Sequence, residues 1–391
     1  MSTNNTMLGA YGEWAAGLVP DSPASFSFRA PHWSELEAWR EAAHNQLTER
    51  IAMPDIAASG LADLRVERSF IYDGLQMELL SWQLPYGPRT EALLLKPADA
   101  AEPLPGVVAL HDHGGLKFYG WQKITQTADT VHPRIIDHWN AYGGVAWANQ
   151  LAKRGFVVLV PDTHAFGSRR VRLHDLPEEI RNGLDDSLWQ EEPLDESLEN
   201  VNAYNEWAAW HESIMAKSLF SAGTTWPGVW LAEDRVALDV LCARPDVDAN
   251  RIGCGGLSGG GMRTVFLAGA DERIRCAVCV GMMTTWRDFL LYKSHTHTWM
   301  VYVPLLPTEL DYPEILGLQV PRPTLVQNNN EDPLFSLAEM KRADGILQEV
   351  FAKVDARDRY RCSYYPGPHK FDQPMQEEAF AWFEQWLPER S

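Results

Sequence analysis

The stretch Gly256-Leu257-Ser258-Gly259-Gly260 follows directly on the apolar run Arg251-Ile252-Gly253-Cys254-Gly255, and it constrains this chain more than any other feature. A G-x-S-x-G placed where a strand ends and a helix begins forces its serine into a sharp, strained turn, with Oγ lifted clear of the sheet edge. The glycines make such a turn possible. A Cβ at Gly256 or Gly260 would meet neighbouring backbone, and Gly259 leaves an unhindered N–H beside the serine. Five-residue patterns of this kind recur by chance, so the weight rests on the surroundings.

Those surroundings predict an α/β chain. Three strand-like runs at 64–72, 75–82 and 90–96 are separated by Asp73-Gly74 and Pro85-Tyr86-Gly87-Pro88, which predicts an antiparallel meander. From Gly106 onward strand and helix patterns alternate. Strands are expected at 106–111, 156–161, 252–257, 274–280, 323–327 and 360–365, and helices at 145–154, 230–243, 260–269, 337–350 and 375–386. Repeated β-α units specify a mostly parallel central sheet with helices on both faces. Sites in such sheets lie beyond the carboxyl ends of the strands, where the serine turn falls.

Residues 1–60 are expected to form an N-terminal arm and helix outside the sheet. Ser34-Glu35-Leu36-Glu37 reads as a capping box for a helix to about Arg50, and Pro54 stops it. Residues 61–391 form the main domain, interrupted at about 163–226 and 282–320. The first interruption is too long for an ordinary loop and should carry a lid. Its acidic middle (Asp185, Asp186, Glu191, Glu192, Asp195, Glu196) reads as a solvated face or mobile lid.

Several function classes fall away. A net charge of −19 with no Lys/Arg cluster argues against nucleic acid and against an anionic membrane as partner. No apolar stretch of about twenty residues exists, and residues 1–20 lack the pattern of a secretory signal, so the cytoplasm is the expected location. Cys276-Ala277-Val278-Cys279 sits in a strand-like segment and reads as core. His295-Thr296-His297 has no nearby third ligand, so no metal is expected. The glycines around 253–261 mimic a dinucleotide fingerprint, but Ser258 stands where its third glycine belongs and no acidic residue ends the next strand. No cofactor is expected.

A nucleophilic serine needs a base, an orienting acid and donors for the developing oxyanion. Asp332 follows the strand at 323–327, with Glu331 beside it as a lesser alternative and Asp288 a poorer one. His369 lies in Pro366-Gly367-Pro368-His369-Lys370-Phe371, after the strand at 360–365.

On Leu110-His111-Asp112-His113-Gly114-Gly115, Pro161-Asp162 with Phe166-Gly167-Ser168-Arg169, the serine turn, Asp332-Pro333-Leu334-Phe335 and Gly367-Pro368-His369-Lys370-Phe371, the chain resembles the α/β-hydrolase superfamily. Within it, the chain is most similar to the dienelactone-hydrolase-like and acetylxylan-esterase-like carboxylesterases. The resemblance covers most of the chain from about Gly106 onward. It implies an α/β-hydrolase fold with Ser258 as nucleophile, His369 as general base and acid, and Asp332 as the carboxylate that fixes the histidine's tautomer. It also implies an oxyanion hole from the N–H of Gly259 and one from His113-Gly114-Gly115, with Gly114 favoured. Leu116 stands where lipase-type relatives have a further glycine. His111 and His113 are expected to be structural.

The implied activity is hydrolysis of small-molecule esters with short acyl chains, acetylated carbohydrate among them. Lactone opening, or a non-enzymatic binding protein on a hydrolase fold, is the alternative. Trp226, Trp286 and Trp299 are candidate substrate contacts, with the two interruptions expected to roof the cleft. Assembly into a homo-oligomer is compatible with the sequence.

Overall fold

In the computed structural model, which describes residues 6–19, 23–56, 63–181, 183–185 and 195–387, nine strands form one sheet. They are β1 (Arg65–Tyr72), β2 (Leu75–Trp82), β3 (Thr90–Pro97), β4 (Leu104–Ala109), β5 (Val157–Pro161), β6 (Val247–Leu257), β7 (Ile274–Val280), β8 (Thr324–Asn329) and β9 (Tyr360–Tyr365). The spatial order is β1-β2-β3-β5-β4-β6-β7-β8-β9. The first three form the expected meander, and Asp73 and Gly74 take φ values of 50° and 79°, as a two-residue hairpin turn requires. β3 pairs antiparallel with β5, and every pairing from β5 across to β9 is parallel. β1 is largely exposed and carries Arg65, Glu67 and Arg68, charges that discourage pairing with another chain.

The helices used below are α1 (Gly12–Ala16), α2 (Leu36–Ile51), α3 (Pro133–His138), α4 (Trp147–Ala152), α5 (Leu198–Ser221), α6 (Trp226–Cys242), α7 (Gly259–Ala270), α8 (Tyr312–Gly317), α9 (Leu337–Ala352) and α10 (Gln373–Trp386). The period of two along the buried strands sorts the core into two faces. Val108 and Leu110 point to the side covered by α2, α6, α7, α8 and α9, whereas Val107 and Ala109 point to the side covered by α4 and α10. α2 places Trp39, Ala43, Leu47 and Ile51 at steps of four, so one buried stripe ties the N-terminal segment into the first face. α2 starts later than its sequence pattern predicts: Glu35 is the N-cap residue and no side chain caps it, so the Ser34 capping box does not form.

A third apolar cluster lies off the sheet. Val201, Tyr204, Trp207 and Ala208 of α5 pack on Leu116, Phe118, Tyr119, Ile135 and Trp139, which belong to the excursion between β4 and α4. The first interruption is therefore anchored on the segment that leaves β4. Of its acidic run, residues 186–194 lie outside the described residues. Glu196 accepts from the Tyr119 hydroxyl at 3.2 Å.

Candidate active site

β6 ends at Leu257 and α7 begins at Gly259, which leaves Ser258 alone in the turn with φ 58° and ψ −118°. Such a conformation is strained for a residue with a side chain and persists only when the surroundings over-determine it. They do so here. The Ser258 amide donates to the Val280 carbonyl at 2.9 Å, and the Ser258 carbonyl accepts from the Met262 amide at 2.9 Å. A Cβ on Gly256 or Gly260 would lie 2.2 or 2.0 Å from the Leu110 carbonyl oxygen, so only glycine lets the strand-turn-helix unit approach β4 this closely.

Two further loops reach the same sheet edge. After β8, Asp332 is buried, while Glu331 is exposed. Its Oδ2 lies 2.6 Å from His369 Nδ1, and its Oδ1 accepts from the Leu334 amide at 2.9 Å. After β9, His369 is held between Asp332 and Gly281, where an added Cβ would come within 3.0 Å of His369 Cε1. Asp288 bonds the Thr284 hydroxyl at 2.9 Å and the Ser336 amide at 2.9 Å, so it serves the packing behind Phe335.

The segment leaving β4 completes the edge. The His113 amide nitrogen would lie 2.8 Å from a Cβ on Gly259, so that peptide faces the residue after the serine. The Gly115 amide donates to His113 Nδ1 at 3.0 Å. That bond makes Nδ1 the acceptor and leaves Nε2–H to donate to Glu212 of α5 at 2.5 Å. Lys117 closes the group, with Nζ 2.7 Å from the same Glu212 oxygen. Burial opposes ionisation of Glu212, but the hydrogen bonds from His113 and Lys117 and the charge of Lys117 outweigh it and hold the carboxyl at about 2. The Asp112 carboxylate bonds His138 Nε2 at 2.9 Å and the Tyr142 hydroxyl at 2.5 Å. Burial pushes the other way, yet His138 and Lys123 keep Asp112 well below the usual carboxylate range. His111 is buried and its pKa is driven down by that burial, so it stays neutral.

Ser258, His369, His113 and Gly114 all line one cleft of about 460 Å³. Its other walls come from Arg134, Asp137 and His138 of α3, and from Thr296, His297 and Thr298. The α3 contributors were not foreseen from the sequence, whereas 296–298 belong to the second interruption, which was expected to roof the cleft. The nearest signal was the histidine pair at 295–297: His297 Nε2 lies 3.0 Å from the Leu334 carbonyl, its ring packs on Phe289 and Phe335, and burial lowers it to about 4. Two of the three tryptophans are misplaced by the sequence reading. Trp226 and Trp286 are core residues outside the cleft wall, and Trp286 donates to the Leu310 carbonyl at 3.1 Å. They are buried because α6 and the segment at 284–286 pack inward. Trp299 is 45% exposed and directly follows the cleft residue Thr298. The rim is thus built by α3 and 296–298, and none of the described acidic residues of the first interruption lines it.

Among the described residues, no group of three or more His, Cys, Asp and Glu could hold a metal ion. No helix among them is long and apolar enough to cross a membrane.

No protein-family model matches the chain. It is 25% identical over 340 residues to "Putative hydrolase YtaP" of Bacillus subtilis (strain 168), a match spanning 86% of this chain and 95% of the relative. Among solved structures it is similar to a "putative acetyl xylan esterase" from Bacteroides fragilis NCTC 9343, with a TM-score of 0.66, 16% identity, and coverage of 92% of this chain and 83% of that one. It is also similar to a glucuronoyl esterase from Solibacter usitatus, with a TM-score of 0.60, 15% identity, and coverage of 94% and 98%. With the sheet order and the strained serine between β6 and α7, these likenesses show that the chain has the α/β-hydrolase fold.

Proposed function

We propose that the protein is a serine carboxylesterase that hydrolyses short-chain acyl esters through Ser258, His369 and Asp332. The observation that carries this reading is the 2.6 Å contact of His369 Nδ1 with buried Asp332, in the same cleft as the strained Ser258. Asp332 accepts only, so it fixes the proton on Nδ1 and leaves Nε2 as the base. His369 Nε2 takes the proton of Ser258 Oγ as Oγ attacks the ester carbonyl. The carbonyl oxygen becomes an oxyanion, received by the Gly259 N–H together with an N–H from the His113-Gly114 turn. His113 is favoured over Gly114 as that donor because its nitrogen lies against Gly259. Collapse expels the alcohol, which takes the proton from His369, and leaves an acyl group on Ser258. Water activated by His369 then releases the acid by the same route.

The cleft wall offers hydrogen-bonding groups to a substrate. Its apolar contributors are Ala141, Leu257 and Leu334, and the rest are mostly polar or charged side chains. Hydroxyl-rich alcohols such as acetylated sugars would find hydrogen-bonding partners among them. The acetyl xylan and glucuronoyl esterase names of the structural neighbours are in keeping with an ester of carbohydrate. The test is labelling with a fluorophosphonate, expected at Ser258 alone, with Ser258→Ala lowering ester turnover by about a millionfold. Label on another serine, or near-normal turnover by the variant, overturns the assignment.

A further inference from the structure

We propose that Lys123 is a positioning residue that polarises the peptide between Asp112 and His113, and so strengthens the N–H that peptide offers to the oxyanion. The inference rests on the esterase reading of the cleft. Lys123 ends the short turn Trp121–Lys123, and none of its surface is accessible to solvent. A buried lysine is costly unless its donors are met. Nζ donates to the Asp112 carbonyl and, at 3.3 Å, to the His113 carbonyl, and it stands 4.4 Å from the centre of the Phe166 ring.

The Asp112 carbonyl and the His113 N–H are the two ends of one conjugated peptide group. A cation on the oxygen draws electron density from the nitrogen, and in a low-dielectric interior this reinforcement along a hydrogen-bond chain is felt strongly. The His113 nitrogen is the atom that lies against Gly259. A positive charge is thus relayed to the hole without a side chain entering it.

The charged and titratable neighbours are few. Asp112 and Asp162 favour the ammonium, whereas Arg263 and Lys117 oppose it. The nearby His111 and His113 imidazoles are both lowered by burial and stay neutral. Burial prevails, and it brings Lys123 down to about 8. The charge is therefore present at neutral pH and is lost as pH rises through about 8.

The experiment pairs an NMR titration with kinetics. In 15N-labelled protein the His113 amide proton should move upfield as pH rises through about 8, in step with a fall in kcat for p-nitrophenyl acetate. In Lys123→Met the alkaline movement should vanish and kcat should drop about tenfold to a hundredfold, with KM within about twofold, as for an interaction made only in the transition state. A lysine that merely props the turn would instead leave the His113 titration and the alkaline limb in place once the folded fraction is allowed for. A His113 amide that does not respond near pH 8 in the parent protein overturns the proposal, and this readout needs no variant to fold. Failure of the esterase reading shows separately, as absence of fluorophosphonate label at Ser258 while the His113 titration persists.

Discussion

Replacing Asp332 by asparagine is the sharpest probe of the proposed triad, because the two side chains have the same shape and differ in what they donate. In the parent protein Oδ2 meets His369 Nδ1 at 2.6 Å while Oδ1 accepts the Leu334 N–H at 2.9 Å. Both oxygens are thus committed to donors. An asparagine has one oxygen, and the backbone N–H of Leu334 cannot change its role, so the amide oxygen is drawn there and the NH2 turns to His369. Nδ1 must then accept, the ring proton moves to Nε2, and the base has no lone pair for Ser258. Loss of the right tautomer costs about ten-thousandfold in turnover, or about 5.5 kcal/mol of barrier. The assay is steady-state hydrolysis of p-nitrophenyl acetate, alongside the rate of fluorophosphonate labelling at Ser258. Both should fall together, with little change in melting temperature. Glu331→Gln, at an exposed position, should stay within about threefold of the parent. Asp332→Asn turnover within tenfold of the parent, or a larger loss from Glu331→Gln, refutes the reasoning.

Four other outcomes are expected. Glu212→Ala leaves Lys117 buried without its counter-charge and should destabilise by about 3–5 kcal/mol in urea unfolding. The parent should in addition lose about 3 kcal/mol as pH falls from the ordinary 4.5 of a glutamate to about 2, because Glu212 stays ionised in the folded state after it has protonated in the unfolded one. An acid unfolding profile unchanged by Glu212→Gln would contradict this. Gly281→Ala places a Cβ 3.0 Å from both His369 Cε1 and Leu257 Cδ1 at a φ of 56°, so kcat should fall at least tenfold and the melting temperature by several degrees. Full activity in that variant would show that His369 does not depend on this approach. On the short-acyl reading, kcat/KM for p-nitrophenyl acetate should exceed that for the octanoate by well over tenfold, and equal or better octanoate hydrolysis would remove that reading.

What the sequence made legible was encoded locally. Ser258 announces itself because a turn this tight needs glycines at fixed places, and Asp73-Gly74 announces its hairpin for a similar reason. His369 and Asp332 were legible as loop residues following strands, since strand ends in a parallel sheet all come to one edge. The cleft wall was not legible in this way. Arg134 and His138 reach the site only because the excursion between β4 and α4 folds back over the sheet edge, a matter of long-range packing with no periodic signature. Aromatic richness likewise gave no means of separating the buried Trp286 from the exposed Trp299. The capping box at Ser34 shows a local motif overruled: the Trp39–Ile51 stripe fixes α2 in the core, and its first turn forms without that cap.

The way α5 is fastened has a bearing on protein engineering. In many scaffolds the segment over a pocket can be trimmed or exchanged to alter substrate range while the chemistry beneath is left intact. Here Glu212 reaches down from α5 to orient the His113 ring, and Tyr204 and Trp207 cover the chain just beyond it. Excising or grafting residues 163–226 would expose Leu116 and Phe118 and release the turn beside Ser258 in the same stroke. A library built on this chain should therefore vary α3 and the 296–298 rim, and leave α5 as part of the frame around Ser258.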